Sequence, residues 1–309
     1  LALSNSLIPG YIQVVVNPYN NSDSKKRKGI IVGGPWTDAI LKFVRENGIQ
    51  AIYFNSAKGW KDSDYSFLSK LDTVEELNII SSIATNLSAI EGMVSLVELS
   101  ITTSTKDKVD FLKLPNLKKC YLYWWSGAES ILDCVDLDTL YLDKLKVKDF
   151  SKLEKLSQLK SLTVSNSKID TVDWLSNYQE LIEFELYNCK KLSEFDAIRN
   201  CLALKKLVIN GSKSLENVNF VEALADLEVL VFSDCSEIDS IHVLSKLKNL
   251  KAFSFAGSTA IEDGDLSVLE TLPKLSMLMF QARKHYTHRL IKKWDWNNFN
   301  HPSRLLEKR

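Results

Sequence analysis

The chain contains no apolar run near the roughly 20 residues that span a bilayer, so no membrane-spanning helix is expected. It also lacks an excess of charge. Lys plus Arg number 39, Asp plus Glu number 39, and the formal net charge is +0. Nucleic-acid binders usually carry a basic surplus that neutralises phosphates, so no nucleic-acid partner is predicted. Cysteine is sparse: Cys120, Cys134, Cys189, Cys201 and Cys235 make an odd set with no CxxC spacing. That pattern argues against a disulfide framework or a zinc site and predicts a reducing, cytoplasmic setting. Asn-x-Ser sequons at Asn20, Asn86 and Asn210 keep a secreted or surface location open. The opening LALSNSLIPG has neither the basic start nor the long apolar core of a signal peptide, although the first residue is Leu1 rather than Met.

Histidine is scarcer still: His242, His285, His288 and His301. This decides the meaning of KGIIVGGPW, Lys28 to Trp36. IVGG opens the mature chain of chymotrypsin-like serine proteases, but such an enzyme needs a catalytic serine in a GDSGG-type context and a histidine well upstream of it. Neither is present. Gly33 and Gly34 do not form a Walker-type phosphate loop, because GxxxxGK[ST] is absent. GIIV is therefore predicted as a strand and GGP as a turn.

What the chain does contain is repetition. The pattern L-x-x-L-x-L, with any large apolar residue allowed, opens at Ile49, Val74, Leu96, Leu117, Leu137, Leu159, Leu181, Leu204, Leu227, Leu250 and Leu275. These eleven copies are spaced 20 to 25 residues apart. The intervals are patterned too. Leu140, Leu142, Val147, Phe150, Leu153 and Leu156 follow Leu137 as Leu162, Val164, Ile169, Val172, Leu175 and Tyr178 follow Leu159, without a gap. One such unit cannot bury its own apolar face, but a stack of them buries a continuous core.

The pattern resembles the leucine-rich repeat family. Its 22-residue form is most similar to the subclass found in bacterial internalins and in a regulatory subunit of protein phosphatase 1. The resemblance runs from Ile49 to about Arg283. It implies an α/β fold, a right-handed leucine-rich repeat solenoid with a curved parallel sheet on its concave side and caps at both ends. The family places Asn at the ninth position to satisfy backbone groups at the turn. This chain has Ser82, Ser104, Ser167, Cys189, Ser212, Cys235 and Ser258 there, with Trp125 and Leu145 in two repeats. Cys189 and Cys235 are accordingly expected to be structural.

Three segments follow. Residues 1–48 are predicted as an N-terminal cap: a strand in YIQVVVNP, a polar loop NNSDSKKRK, a second strand GIIV, and a helix TDAILKFVREN closed by Gly48. Residues 49–283 hold the repeats. Residues 284–309 form a C-terminal cap or tail, with Trp294, Trp296 and Phe299 as a lid. His285 and His288 would share a face if this segment were helical, but no carboxylate or cysteine completes a metal set.

Along each strand the leucines point inward and the intervening residues outward. The outward columns concentrate Tyr, Trp and carboxylates in the second to seventh repeats. The candidate partner-binding residues are Glu76, Glu98, Tyr121, Tyr123, Trp124, Tyr141, Asp143, Glu183, Glu185 and Tyr187. Aromatic residues bury large area at low entropic cost. The carboxylates outnumber Lys119 and Lys206 on the same columns, which predicts a protein partner with a basic surface. Trp125 in YLYWWSG is expected to form one rim. A second surface is the apolar group Val229, Val231, Met277 and Met279, unless the C-terminal tail covers it.

No catalytic constellation is visible, and an open strand face does not exclude water. The expected function is a non-enzymatic protein–protein interaction module, monomeric, with no cofactor or metal. The alternatives are an inhibitor or immunity-type protein that caps a basic enzyme, an adaptor within a larger assembly, and a bacterial surface adhesin-like binder.

Overall fold

The computed structural model describes residues 12–16, 27–290 and 306–308. The chain divides into two compact units, Leu1–Leu137 and Asp138–Arg309.

In the first unit, β1 (Ile12–Val16) and β2 (Lys28–Val32) precede helix α1 (Asp38–Glu46). Strands β3 (Ala51–Asn55), β4 (Glu76–Ile83), β5 (Glu98–Ser104) and β6 (Lys119–Tyr123) follow. β1 runs antiparallel to β2, and β2 to β6 pair in parallel, in chain order. Helix α1 starts where expected: the Thr37 side chain accepts from the Ile40 amide, and Asp38 sits in the first turn. Gly48, at φ +58°, closes it. Its buried face is Ile40, Leu41, Phe43 and Val44.

IVGG is a strand end followed by a turn. Trp36 stacks on Phe67 with ring centroids 4.3 Å apart. Gly59 is held at φ +106°, and a Cβ there would lie 2.4 Å from the Gly33 carbonyl oxygen. Only glycine tolerates that approach.

In the second unit the parallel order is β7 (Thr139–Asp143), β8 (Ser161–Ser165), β9 (Glu183–Tyr187), β10 (Lys206–Asn210) and β11 (Val229–Ser233). After the two-residue strand β12 (Glu237–Ile238) it continues with β13 (Ala252–Ala256). The short β14 (Ala260–Ile261) pairs with β12, and β15 (Met277–Phe280) ends the series. β16 (His288–Leu290) pairs antiparallel with β17 (Leu306–Lys308).

The register is the one that the repeat openings predict. Thr139, Ser161, Glu183, Lys206, Val229, Ala252 and Met277 align across the second unit, and Ala51, Glu76, Glu98 and Lys119 across the first. Short 3-10 turns such as Asp173–Asn177 and Asn219–Ala223 bring the second half of each repeat back under the sheet. The inward side chains Leu140, Leu162, Phe184, Leu207, Leu230 and Phe253 are fully buried.

The turn position departs from the expected series. Ser167 fits: its hydroxyl accepts from the Leu145 amide and donates to the Ser165 carbonyl. The Cys189 and Cys235 thiols are buried against backbone carbonyls as expected. Ser82, Ser104 and Ser258 are exposed instead. A register shift in the β4–β5 pair between Ile80 and Ile83 moves the phase, so that Ala84 and Thr103 are buried where Ser82 and Ser104 were expected. Near Ser258 the neighbouring Thr259 takes the buried place and accepts from the Cys235 amide.

The C-terminal histidines also differ from expectation. His288 lies on β16, 1% exposed, and His285 lies in the turn before it with Nε2 on the Ile261 carbonyl. They share no helical face. The polar loop after β1 and the expected lid residues Trp294, Trp296 and Phe299 lie outside the described residues. Among the described residues no helix is long and apolar enough to cross a membrane.

Candidate functional site

The ten candidate residues divide five and five between the units. In the first unit Glu76 and Glu98 stand side by side on β4 and β5. Sequence reasoning missed Arg27, which enters between them. Its guanidinium donates to Glu75 at 3.2 Å, to Glu76 at 3.2 Å and to Glu98 at 3.5 Å. Arg27 lies outside the repeats, in a run of basic residues, so no spacing marks it. Tyr53 adds a hydrogen bond to Glu76 at 2.7 Å. Tyr53 and Ala51 do face outward, yet they are buried with Ile31, and Val15 packs against them. Gly29 makes this possible, since a Cβ there would meet the Tyr53 ring at 2.9 Å. Burial, then the charge of Glu76, raises the Glu98 carboxyl above its ordinary value. Burial, then Glu98, pushes the Tyr121 phenol up to about 12. These carboxylates are held within a network of this chain and do not form an open acidic patch.

The tryptophans are corrected as well. Trp124 is 7% exposed and Trp125 is 8% exposed. Trp125 donates from Nε1 to the Asp107 carbonyl at 2.7 Å and packs beside Phe111. Gly127 allows this, because a Cβ there would lie 2.1 Å from the Asp107 oxygen. Both rings are core residues of an irregular turn. Tyr121 and Tyr123 remain half-exposed on β6.

In the second unit Tyr141, Thr163, Glu185, Val208, Val231, Ser254 and Met279 form one outward column. Glu185 is engaged from two sides, by Lys206 Nζ at 2.5 Å and by the Tyr187 hydroxyl at 2.8 Å. Burial, then that hydrogen bond, raises the Tyr187 phenol above its ordinary value. Asp143 accepts from Asn166 Nδ2 at 2.6 Å. Glu183, on the adjoining column, lies between Ser161 and Lys206. Further along, the face turns apolar. Val229, Val231 and Ala252 precede Met277, 38% exposed, and Met279, 56% exposed.

Residues 139–262 match the BspA type leucine rich repeat region, in six copies. This is a leucine-rich repeat fold. No curated protein matches the chain in sequence. The solved structures that resemble this chain share its fold at low identity. An internalin, InlF of Listeria monocytogenes, is 18% identical with a TM-score of 0.56, over 76% of this chain and 68% of that one. A leucine-rich repeat protein of Leptospira interrogans is 15% identical with a TM-score of 0.53, over 78% and 74%. The plant peptide hormone receptor RGFR1, solved in complex with RGF2, is 13% identical with a TM-score of 0.50, over 85% of this chain and 52% of the receptor.

Proposed function

We propose that this protein is a non-enzymatic interaction module that binds another protein through the outward strand face of its second unit. One observation carries the proposal: the column from Tyr141 to Met279 and its neighbour from Thr139 to Met277 make a graded face. It begins with Tyr, Thr and Glu and ends in exposed Met277 and Met279 beside Val229, Val231 and Ala252. Exposed methionines adapt their shape to a partner and cost energy while they stay in water. The rigid sheet beneath them limits the ordering cost of binding. The plant receptor's structure with a peptide hormone supports a protein or peptide ligand for the fold.

The preference for a basic partner is narrowed by the structure. Arg27, Lys206, Tyr53 and Tyr187 already hold most of the candidate carboxylates. The contact is therefore proposed to rest on Tyr141, Tyr187 and the apolar end, with Glu183 contributing at the margin. Five unpaired thiols support a reducing compartment such as the cytoplasm as part of this proposal.

The test is capture of binding proteins from the source organism by wild type and by a Met277→Glu, Met279→Lys variant. A partner held by wild type and lost by the variant supports the strand face. Equal capture by both would place the contact elsewhere.

A further inference from the structure

The net charge of zero conceals a second surface in the second unit, on the turns that leave the strands. In the aligned register, the residue seven places after each strand start is Lys146, Lys168, Lys190 and Lys213 in four consecutive repeats. The turns stack in step, because the ladder continues one residue past the strands. The amides of Lys144, Asn166, Asn188 and Gly211 donate to the carbonyls of Ser165, Tyr187, Asn210 and Ser233. Neighbouring parallel strands lie about 4.8 Å apart, so the four lysines span about 14 Å. All four are exposed, as are Lys148 and Lys191. Among the described residues, Lys146, Lys168, Lys190 and Lys191 form no ion pair. Lys213 is anchored on the Cys235 carbonyl and the Ser258 hydroxyl.

The stripe borders a shallow groove of about 520 Å³ lined by Asn166, Ser167, Lys168, Asn188, Lys190 and Lys191. Two of the nearby carboxylates are already engaged. Asp149 caps the Ser151 amide, and Asp143 is bound by Asn166. Asp170, two residues after Lys168, is exposed. In the next repeat the pattern stops, with Asp234, Ser236 and Glu237 at the corresponding turn.

We propose that this stripe docks an acidic polypeptide segment, independently of the strand face. Chain chemistry selects this partner over other polyanions. The turns at 144–148, 166–170, 188–191 and 211–214 carry no arginine and no aromatic residue. A single-stranded nucleic acid would find no ring on which to stack its bases, and its phosphates no planar guanidinium fork. Lysine is a strongly hydrated point charge on a flexible stem and can pair with carboxylates one at a time. An extended segment rises about 3.3 Å per residue, so about five residues span the stripe, with acidic side chains at alternate positions facing the lysines. The Asn166 and Asn188 side chains line the same groove but are already bound along the turns, Asn166 to Asp143 and Ser165 and Asn188 to Asn166, so the lysines carry the contact.

The test uses a fluorescein-labelled twelve-residue peptide of alternating Glu and Ser, read by anisotropy at low and physiological salt. Wild type is compared with Lys146→Glu, Lys168→Glu, Lys190→Glu. The control is Lys61→Glu, Lys106→Glu, Lys108→Glu, three exposed lysines of the first unit. All three proteins are first checked for native circular dichroism. The expected result is salt-sensitive binding, weakened roughly tenfold or more in the stripe variant and unchanged in the control. Absence of binding to wild type, or equal weakening in both variants, overturns the proposal. So does an oligothymidylate or heparin that binds the stripe more tightly than the peptide.

Discussion

Asn166 shows how much of this fold rests on single turn residues. It adopts φ +50°, a region that costs an ordinary L-residue about 1–2 kcal/mol. Its side chain also holds Asp143 at 2.6 Å. Asn166→Ala is expected to lose about 1–2 kcal/mol in urea unfolding, and Asn166→Gly less, since glycine keeps the backbone and gives up only the side-chain hydrogen bonds. Equal losses would mean that the hydrogen bonds alone matter. The thiols follow from burial in the same way. Burial pushes Cys134 and Cys201 up to about 12 and Cys189 to about 11, and raises Cys120 and Cys235. Thiolate is the reactive form. A disulfide reagent at neutral pH is therefore expected to label Cys134, the least buried, first and slowly, and all five only in denaturant. Rapid native labelling of the others would contradict their placement.

At the scale of elements, two places break the repeat and both are stabilised by side chains that the repeat does not contain. In the turn after β6, Trp125 fills the ladder position. Trp125→Ala is expected to cost about 3–5 kcal/mol, because it opens a cavity and leaves the Asp107 carbonyl without its indole donor. A loss below about 1 kcal/mol would show that the ring is dispensable. The second place is the junction of Arg27 with β4 and β5. Arg27→Met leaves Glu75, Glu76 and Glu98 facing one another half-buried and is expected to cost about 2–4 kcal/mol at neutral pH. That deficit shrinks in acid as the Glu98 carboxyl, raised by burial and by Glu76, protonates. Glu98 supplies the complementary test. Its folded pKa is raised by burial and by Glu76, so the folded chain binds this proton more readily than the unfolded chain. Its contribution is then fully present below the unfolded pKa and is lost as pH rises through the folded value. Glu98→Gln is expected to raise Tm at neutral pH and to leave it unchanged near about pH 4. A Tm that falls at neutral pH would show that the charge is needed by Arg27.

For the molecule as a whole, the distribution of side chains matters more than their totals. Lys plus Arg balance Asp plus Glu over the chain. Within the second unit, however, lysines gather on the turns, Glu183 and Glu185 lie on the strands, and methionines lie at the far strand. Because Met277 and Met279 are exposed, their charged replacements should change unfolding free energy by no more than about 0.5 kcal/mol while abolishing capture of a strand-face partner. A large stability loss would instead show that they pack against part of the protein.

The recurrence of Leu at fixed intervals was enough to specify strand positions, inward and outward faces and register, because a repeat must bury the same positions in every copy. The N-terminal helix and the IVGG turn were equally legible from local chemistry. Contacts between residues distant in sequence were not. Arg27 reaches Glu98 across 71 positions, and no periodicity marks such a pair. The shift in the β4–β5 pair displaced Ser82 and Ser104 from the turn ladder, and the Asp107 carbonyl drew Trp125 into the core. Local spacing dictated which side of each strand a residue occupies. Only tertiary packing decided whether that side was open, as at Met279, or closed, as at Tyr53, since exposure depends on what the rest of the chain brings against it.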